Sequence, residues 1–258
     1  MSYQYLLVEK HEDGHALVQF NRPRQLNALC TGMLEELHAV LSAFNTDDAV
    51  RAVVLTGSER AFAAGADITE LAEFSALDAR RHFAGAHWQA IENFRKPIIA
   101  AVRGLALGGG FELVLQCDMV VVSHDAVLGL PEVKLGVIPG AGGTQRLPRL
   151  VGKALAMEMI LNGRTLNAEE ALRHGIANYA WPPEELLARA QALAADLATR
   201  APLAVEIAKE CVNAAFQETL SQGLATEQRL FHLLFATEDR AEGFRAFLEK
   251  RPPQWRNR

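Results

Sequence analysis

Apolar positions along the chain fall into short runs divided by glycine, proline and acidic turns, and the period of each run predicts an element. Residues 5–9 and 16–20 read as two strands joined across Glu12-Asp13-Gly14, a hairpin signal. Residues 33–44 give a helix, because Met33, Leu34, Leu37, Val40, Leu41 and Phe44 recur on one face. Residues 51–57 follow as a buried strand, and 77–94 as one helical stretch. Residues 97–107 read as a single strand, apolar except for Arg103 and Gly104. A short helix opens near Gly109 and carries Glu112, and residues 119–123 form the next strand. Strands alternating with helices argue an α/β fold with mainly parallel crossovers.

Beyond Pro148 the pattern changes. Residues 153–161 and 167–174 are helical, and 176–181 are extended. Trp181-Pro182-Pro183 then breaks the chain, since two prolines end any element before them. Helices are expected over 184–199, 202–216, 218–235 and 240–250, the second starting on a proline whose missing N–H does no harm there. The expected division is therefore 1–181 as an α/β core with the active site and 182–258 as an α-helical region. The apolar faces of these helices suggest packing on a neighbouring subunit.

Composition narrows the classes. At 258 residues a large core needs no staples, and a net charge of -5 lacks the basic footprint of non-specific nucleic-acid binding. Cys30, Cys117 and Cys211 are far apart, with no CxxC pair to suggest zinc or a redox dithiol. No signal peptide, arginine-rich transit segment or long apolar span is evident, so a cytoplasmic setting without membrane contact is expected.

The chemistry concentrates at two glycine-rich places, each beside a glutamate. Gly108-Gly109-Gly110 lies between a strand and the helix of Glu112. Exposed amides at a helix start attract negative charge. A tight turn is the ordinary explanation of such a run. A dinucleotide fingerprint fails on spacing, and a P-loop fails because no Gly-Lys-Ser/Thr follows. An oxyanion hole then becomes a serious option, with residues 61–68 as the second donor segment. A helix start capped by Asp67 would explain that segment equally, and the two readings are compatible. Glu132 lies in Gly129-Leu130-Pro131-Glu132, just before Pro139-Gly140-Ala141-Gly142-Gly143-Thr144. Apolar flanks around both glutamates should raise their pKa values, and two carboxyls in one site should push them apart, leaving one acid and one base. The eight histidines form no HExxH, and no G-x-S-x-G elbow marks a serine nucleophile.

Asn21-Arg22-Pro23 with Asn27-Ala28-Leu29, residues 61–68, 104–118, 131–147 and 236–251 together resemble the crotonase (enoyl-CoA hydratase/isomerase) superfamily, in order and over essentially the whole chain. The match is nearest to its short-chain hydratase branch. The resemblance implies a crotonase-like spiral of ββα units, followed by helices that drive assembly as a trimer or a dimer of trimers. It also implies a coenzyme A thioester whose carbonyl sits between the amides of Ala66 and Gly109, with Glu112 and Glu132 as the catalytic pair. Hydratases carry both glutamates, whereas other branches keep one or neither. By the same resemblance Ala66, Asp67, Ile68 and Gly109 line the substrate, and Arg22, Arg24 and Lys250 lie where phosphate contacts occur, Lys250 reaching from a neighbouring subunit. No cofactor or metal is implied, coenzyme A being part of the substrate. Arg103, Leu105, Phe111 and Leu130 depart from residues usual in that branch, which leaves acyl preference open. A hydratase for a dicarboxylic enoyl thioester, such as 2,3-dehydroadipyl-CoA, is the alternative within the superfamily. RNA binding, known for some crotonase-fold proteins, sits badly with the acidic balance and the lack of a lysine-rich helix.

Overall fold

The structure, a computed structural model, describes residues 3–258. Among these residues ten strands form two sheets. In chain order they are β1 (Leu6–Lys10), β2 (His15–Phe20), β3 (Ala52–Thr56), β4 (Ala61–Ala63), β5 (Ile98–Val102), β6 (Leu105–Leu107), β7 (Met119–Ser123), β8 (Val127–Gly129), β9 (Thr165–Asn167) and β10 (Tyr179–Trp181). The larger sheet runs β1-β2-β3-β5-β7-β10, with the β1–β2 hairpin antiparallel and the remaining pairs parallel. The smaller runs β4-β6-β8-β9. Successive units thus give their first strand to one sheet and their second to the other, which is the expected spiral of ββα units.

The helices are α1 (Thr31–Asn45), α2 (Ile68–Leu71), α3 (Ala76–Phe83), α4 (Gly109–Val114), α5 (Gly143–Val151), α6 (Lys153–Asn162), α7 (Ala168–Arg173), α8 (Leu186–Ala198), α9 (Pro202–Ala214), α10 (Leu220–Leu234) and α11 (Glu238–Glu249). β3 and β5 are buried along their whole length. Val53 and Leu55 face a core shared with Leu34, Leu37 and Leu41 of α1. Ala52 and Val54 face the other way, onto Leu186, Ala190 and Ala194 of α8. A parallel sheet covered on both faces needs near-continuous apolar strands, which is what these runs supply. The first helix after residue 182 therefore packs as part of the α/β core. α9 and α10 bury no residue within the chain. α9 is tied down by Lys209, whose Nζ reaches Asp118 at 2.7 Å and the Lys96 carbonyl at 2.9 Å. Phe231, Leu233, Phe244, Phe247 and Leu248 remain exposed on α10 and α11.

Two expected elements divide. The strand expected over 97–107 is β5 plus β6, in different sheets. Gly104 turns the chain at φ +63, where a Cβ would lie 2.2 Å from the Arg60 carbonyl oxygen. The helix expected over 77–94 ends at Phe83. Gly85 is extended, at ψ 149, and starts a separate 3-10 turn, Ala86–Gln89, that buries Trp88.

Candidate active site

β6 delivers the chain to Gly108, which takes φ +51 and ψ −129 before α4 begins. That backbone suits glycine, and a Cβ there would lie 3.2 Å from Glu132 Oε1. The Gly108 amide is spent on the Gly129 carbonyl at 2.9 Å, so the next amide, that of Gly109, is the first one aimed out of the helix start. Among the described residues it donates to no other backbone group.

Ala66 comes alongside through a parallel bridge with Leu29. Leu29 N–H donates to Gly65 at 2.8 Å and the Leu29 carbonyl accepts from Asp67 at 2.9 Å. Ala66 lies between these partners, so its own N–H points away from residue 29. It ends near Gly109, where a Cβ would lie 3.7 Å from the Ala66 nitrogen and 3.0 Å from Trp88 Cη2. Two amides from separate glycine-rich turns therefore border one small space, backed by an indole.

Glu112, one turn into α4, is buried. Its Oε1 accepts from the amides of Ala141 at 2.8 Å and Gly143 at 2.7 Å. Burial raises its pKa, and these amides oppose the rise by favouring the carboxylate. Glu132 opens a 3-10 turn, Glu132–Leu135, after β8. Both of its oxygens are buried without a hydrogen-bond partner. Burial, with the charge of Glu112 adding to it, pushes its carboxyl up to about 7. The environments thus differ: burial raises both carboxyls, but at Glu112 two amides oppose the rise and favour the carboxylate, whereas Glu132 has no such donors and keeps a proton near neutrality.

An open cleft of 820 Å³ adjoins this segment, lined by Leu71, Phe74, Ala79, Phe83, Val133, Gly136, Val137, Ile138 and Gly140. No charged side chain lines it.

The other expected site residues separate from these. Asp67 caps α2 through Thr69 N–H at 3.1 Å and pairs with Arg22 at 3.0 Å. Arg22 also donates to the Ala28 carbonyl at 2.6 Å. Its guanidinium is engaged in holding the 22–28 turn rather than standing free for phosphate. Asn27, at φ 55, anchors the same turn to the carbonyls of Ala61 and Phe62. Ile68 is exposed beside Ala66, and Arg24 is exposed on the 3-10 turn Pro23–Gln25. Lys250 is exposed at the end of α11 in the left-handed region. Phe111 and Leu130 are fully buried, whereas Arg103 faces Glu59 and Asp125.

Two participants escaped the sequence reading. The 139–143 run was noticed as glycine-rich, but not as the donor to Glu112. Trp88 was hidden inside a presumed continuous helix. His82 and His87 lie with their rings 5.1 Å apart in the aromatic cluster around Trp88. Among the described residues no group of three or more His, Cys, Asp or Glu could hold a metal ion, and no helix is long and apolar enough to cross a membrane.

Comparison with known proteins identifies the family. The enoyl-CoA hydratase/isomerase family model matches residues 10–258. The probable enoyl-CoA hydratase of Rhizobium meliloti is 49% identical, covering 100% of both chains. The 2,3-dehydroadipyl-CoA hydratase of Escherichia coli is 43% identical, covering 98% of this chain and 99% of its own. The crystal structure of enoyl-CoA hydratase subunit I from Geobacillus kaustophilus superposes with a TM-score of 0.94 at 43% identity, covering 99% of each chain.

Proposed function

The chain belongs to the enoyl-CoA hydratase/isomerase family, and from that premise we propose that it adds water across the trans-2 double bond of an enoyl-CoA thioester to give the 3-hydroxyacyl thioester. The observation that carries the reading is the pair of carboxyls in opposed environments beside two converging amides. The thioester carbonyl lies between the N–H groups of Ala66 and Gly109. Glu112, as the carboxylate, takes a proton from water while the water oxygen bonds to C3. The C2=C3 electrons move toward the thioester oxygen, where the two amides stabilise the enolate as it forms. Glu132 then gives its proton to C2. Each turn leaves Glu112 protonated and Glu132 ionised, and proton exchange restores both. Holding water between two carboxyls removes much of the entropic cost of recruiting it. Acid, base and electrophile are all protein groups, so no metal or further cofactor enters; coenzyme A arrives on the substrate.

The apolar cleft favours a hydrocarbon acyl chain, of the kind met in fatty-acid β-oxidation, over a dicarboxylic one, because a terminal carboxylate would meet no cation along this lining. The exposed apolar faces of α10 and α11 support self-association as a trimer or dimer of trimers, with Arg24 and a neighbour's Lys250 toward the nucleotide phosphates. Free cysteines suit a reducing cytoplasm.

The test is loss of the conjugated enoyl-thioester absorbance of crotonyl-CoA, with Glu112→Gln as control. Turnover in the wild type, reduced by about 10²-fold or more in the variant, is expected. Silence on crotonyl-CoA and on longer enoyl thioesters would overturn the proposal.

A further inference from the structure

Ala141 is gripped at both ends. Its N–H points at Glu112 Oε1, and its carbonyl accepts from Nη1 of Arg146 at 3.1 Å. The same guanidinium donates through Nη2 to Glu92 Oε2 at 3.0 Å, tying α5 to the segment that precedes β5. The Arg146 backbone N–H closes the turn onto the Gly142 carbonyl at 2.8 Å. Gly142 itself sits at φ +105, and a Cβ there would lie 1.9 Å from Arg146 Nη1. The glycine therefore does two things: it allows the left-handed backbone and it vacates the space that the guanidinium fills.

We propose that Arg146, braced by Glu92, is a positioning residue for the water-activating carboxylate. By holding the Ala141 carbonyl it orients that peptide so that the Ala141 and Gly143 N–H groups converge on Glu112 Oε1, leaving Oε2 for the proton of water. The charged groups facing Glu112 are Arg146, from α5, and Glu132, from the turn after β8; burial raises the Glu112 carboxyl, and the arginine opposes that rise and so favours the anionic form. The inference rests on the hydration reading above for what Glu112 does, but the geometric link between Arg146 and Glu112 stands apart from it.

Arg146→Met, Arg146→Lys and Glu92→Gln in the full-length chain test it, each checked for wild-type assembly mass and circular dichroism. Arg146→Met should lower kcat about 10- to 100-fold with little change in KM, the scale of a misplaced catalytic group. The acid limb of its kcat/KM profile should move to higher pH, since the carboxylate has lost its cation. Arg146→Lys should restore the limb by keeping charge, while recovering only part of kcat because it lacks the planar fork. Glu92→Gln should cost a few-fold in kcat and leave the limb in place. Difference infrared spectra against Glu112→Gln read the Glu112 titration directly and need no turnover. An upward move of that carboxyl in Arg146→Met supports the assignment even if crotonyl-CoA hydration fails. Wild-type kcat, or an unmoved Glu112 titration, in a folded Arg146→Met would overturn it. Should that variant not fold, a folded Arg146→Lys with wild-type kcat would do the same.

Discussion

Replacing Glu132 by glutamine should make the protein less active and more stable, and the gain should depend on pH. The buried, unpartnered carboxyl titrates near 7 in the folded state against 4.5 as an ordinary glutamate. A group whose folded pKa is raised binds its proton more tightly when folded, so stability falls as pH rises from the unfolded value through the folded one. Below about 4.5 the wild type carries no penalty; above about 7 it carries the full one. At 1.36 kcal/mol per decade that penalty is at most about 3 kcal/mol, and solvent screening of a side chain that is not wholly enclosed trims it to about 1–2 kcal/mol. Glutamine has the same shape without the charge. Urea unfolding of both proteins at pH 5 and pH 8, at one chain concentration, should show the variant ahead by about 1–2 kcal/mol more at pH 8. Turnover on crotonyl-CoA should fall by about 10²-fold or more, because no acid remains to protonate C2. A stability difference that is the same at both pH values would refute the reasoning, for it would mean that Glu132 is not held protonated by the fold.

Gly109→Ala should keep the fold and lose activity: its Cβ would press on Trp88 at 3.0 Å and crowd the Ala66 amide, and displacing one oxyanion donor lowers kcat by about 10²–10³-fold. Near-normal kcat would remove Gly109 from the oxyanion site. Sedimentation velocity should give a mass of three or six chains. In Lys209→Met, which strips the cation from the partly enclosed Asp118 carboxylate, stability should fall by about 1–2 kcal/mol and the assembly should weaken as α9 loosens. A monomeric wild type, or an unchanged variant, would count against that role for the C-terminal helices.

Much of this molecule is legible along the chain because it depends on local period. The apolar runs at 52–56 and 119–123 need nothing beyond themselves to read as buried strands, and the stripe of α1 shows its buried face. Gly108-Gly109-Gly110, the 139–143 run and the two glutamates announce a place where backbone amides meet acids. What a one-dimensional pattern cannot carry is which distant groups meet. Residues 97–107 look like one strand because hydropathy is the same on both sides of Gly104, and only the collision with Arg60 explains why the halves enter different sheets. α8 resembles the helices after it, yet it alone among the last four covers Val54 and Val121. Arg22 reads as a free cation until Asp67, 45 positions later, is found beside it. The sequence by itself determined that two glutamates stand beside two glycine-rich turns, each with apolar flanks. Tertiary structure decided which glutamate receives amides and which is left bare, since desolvation and hydrogen bonding depend on what lies across the cavity and not on what lies next in the chain.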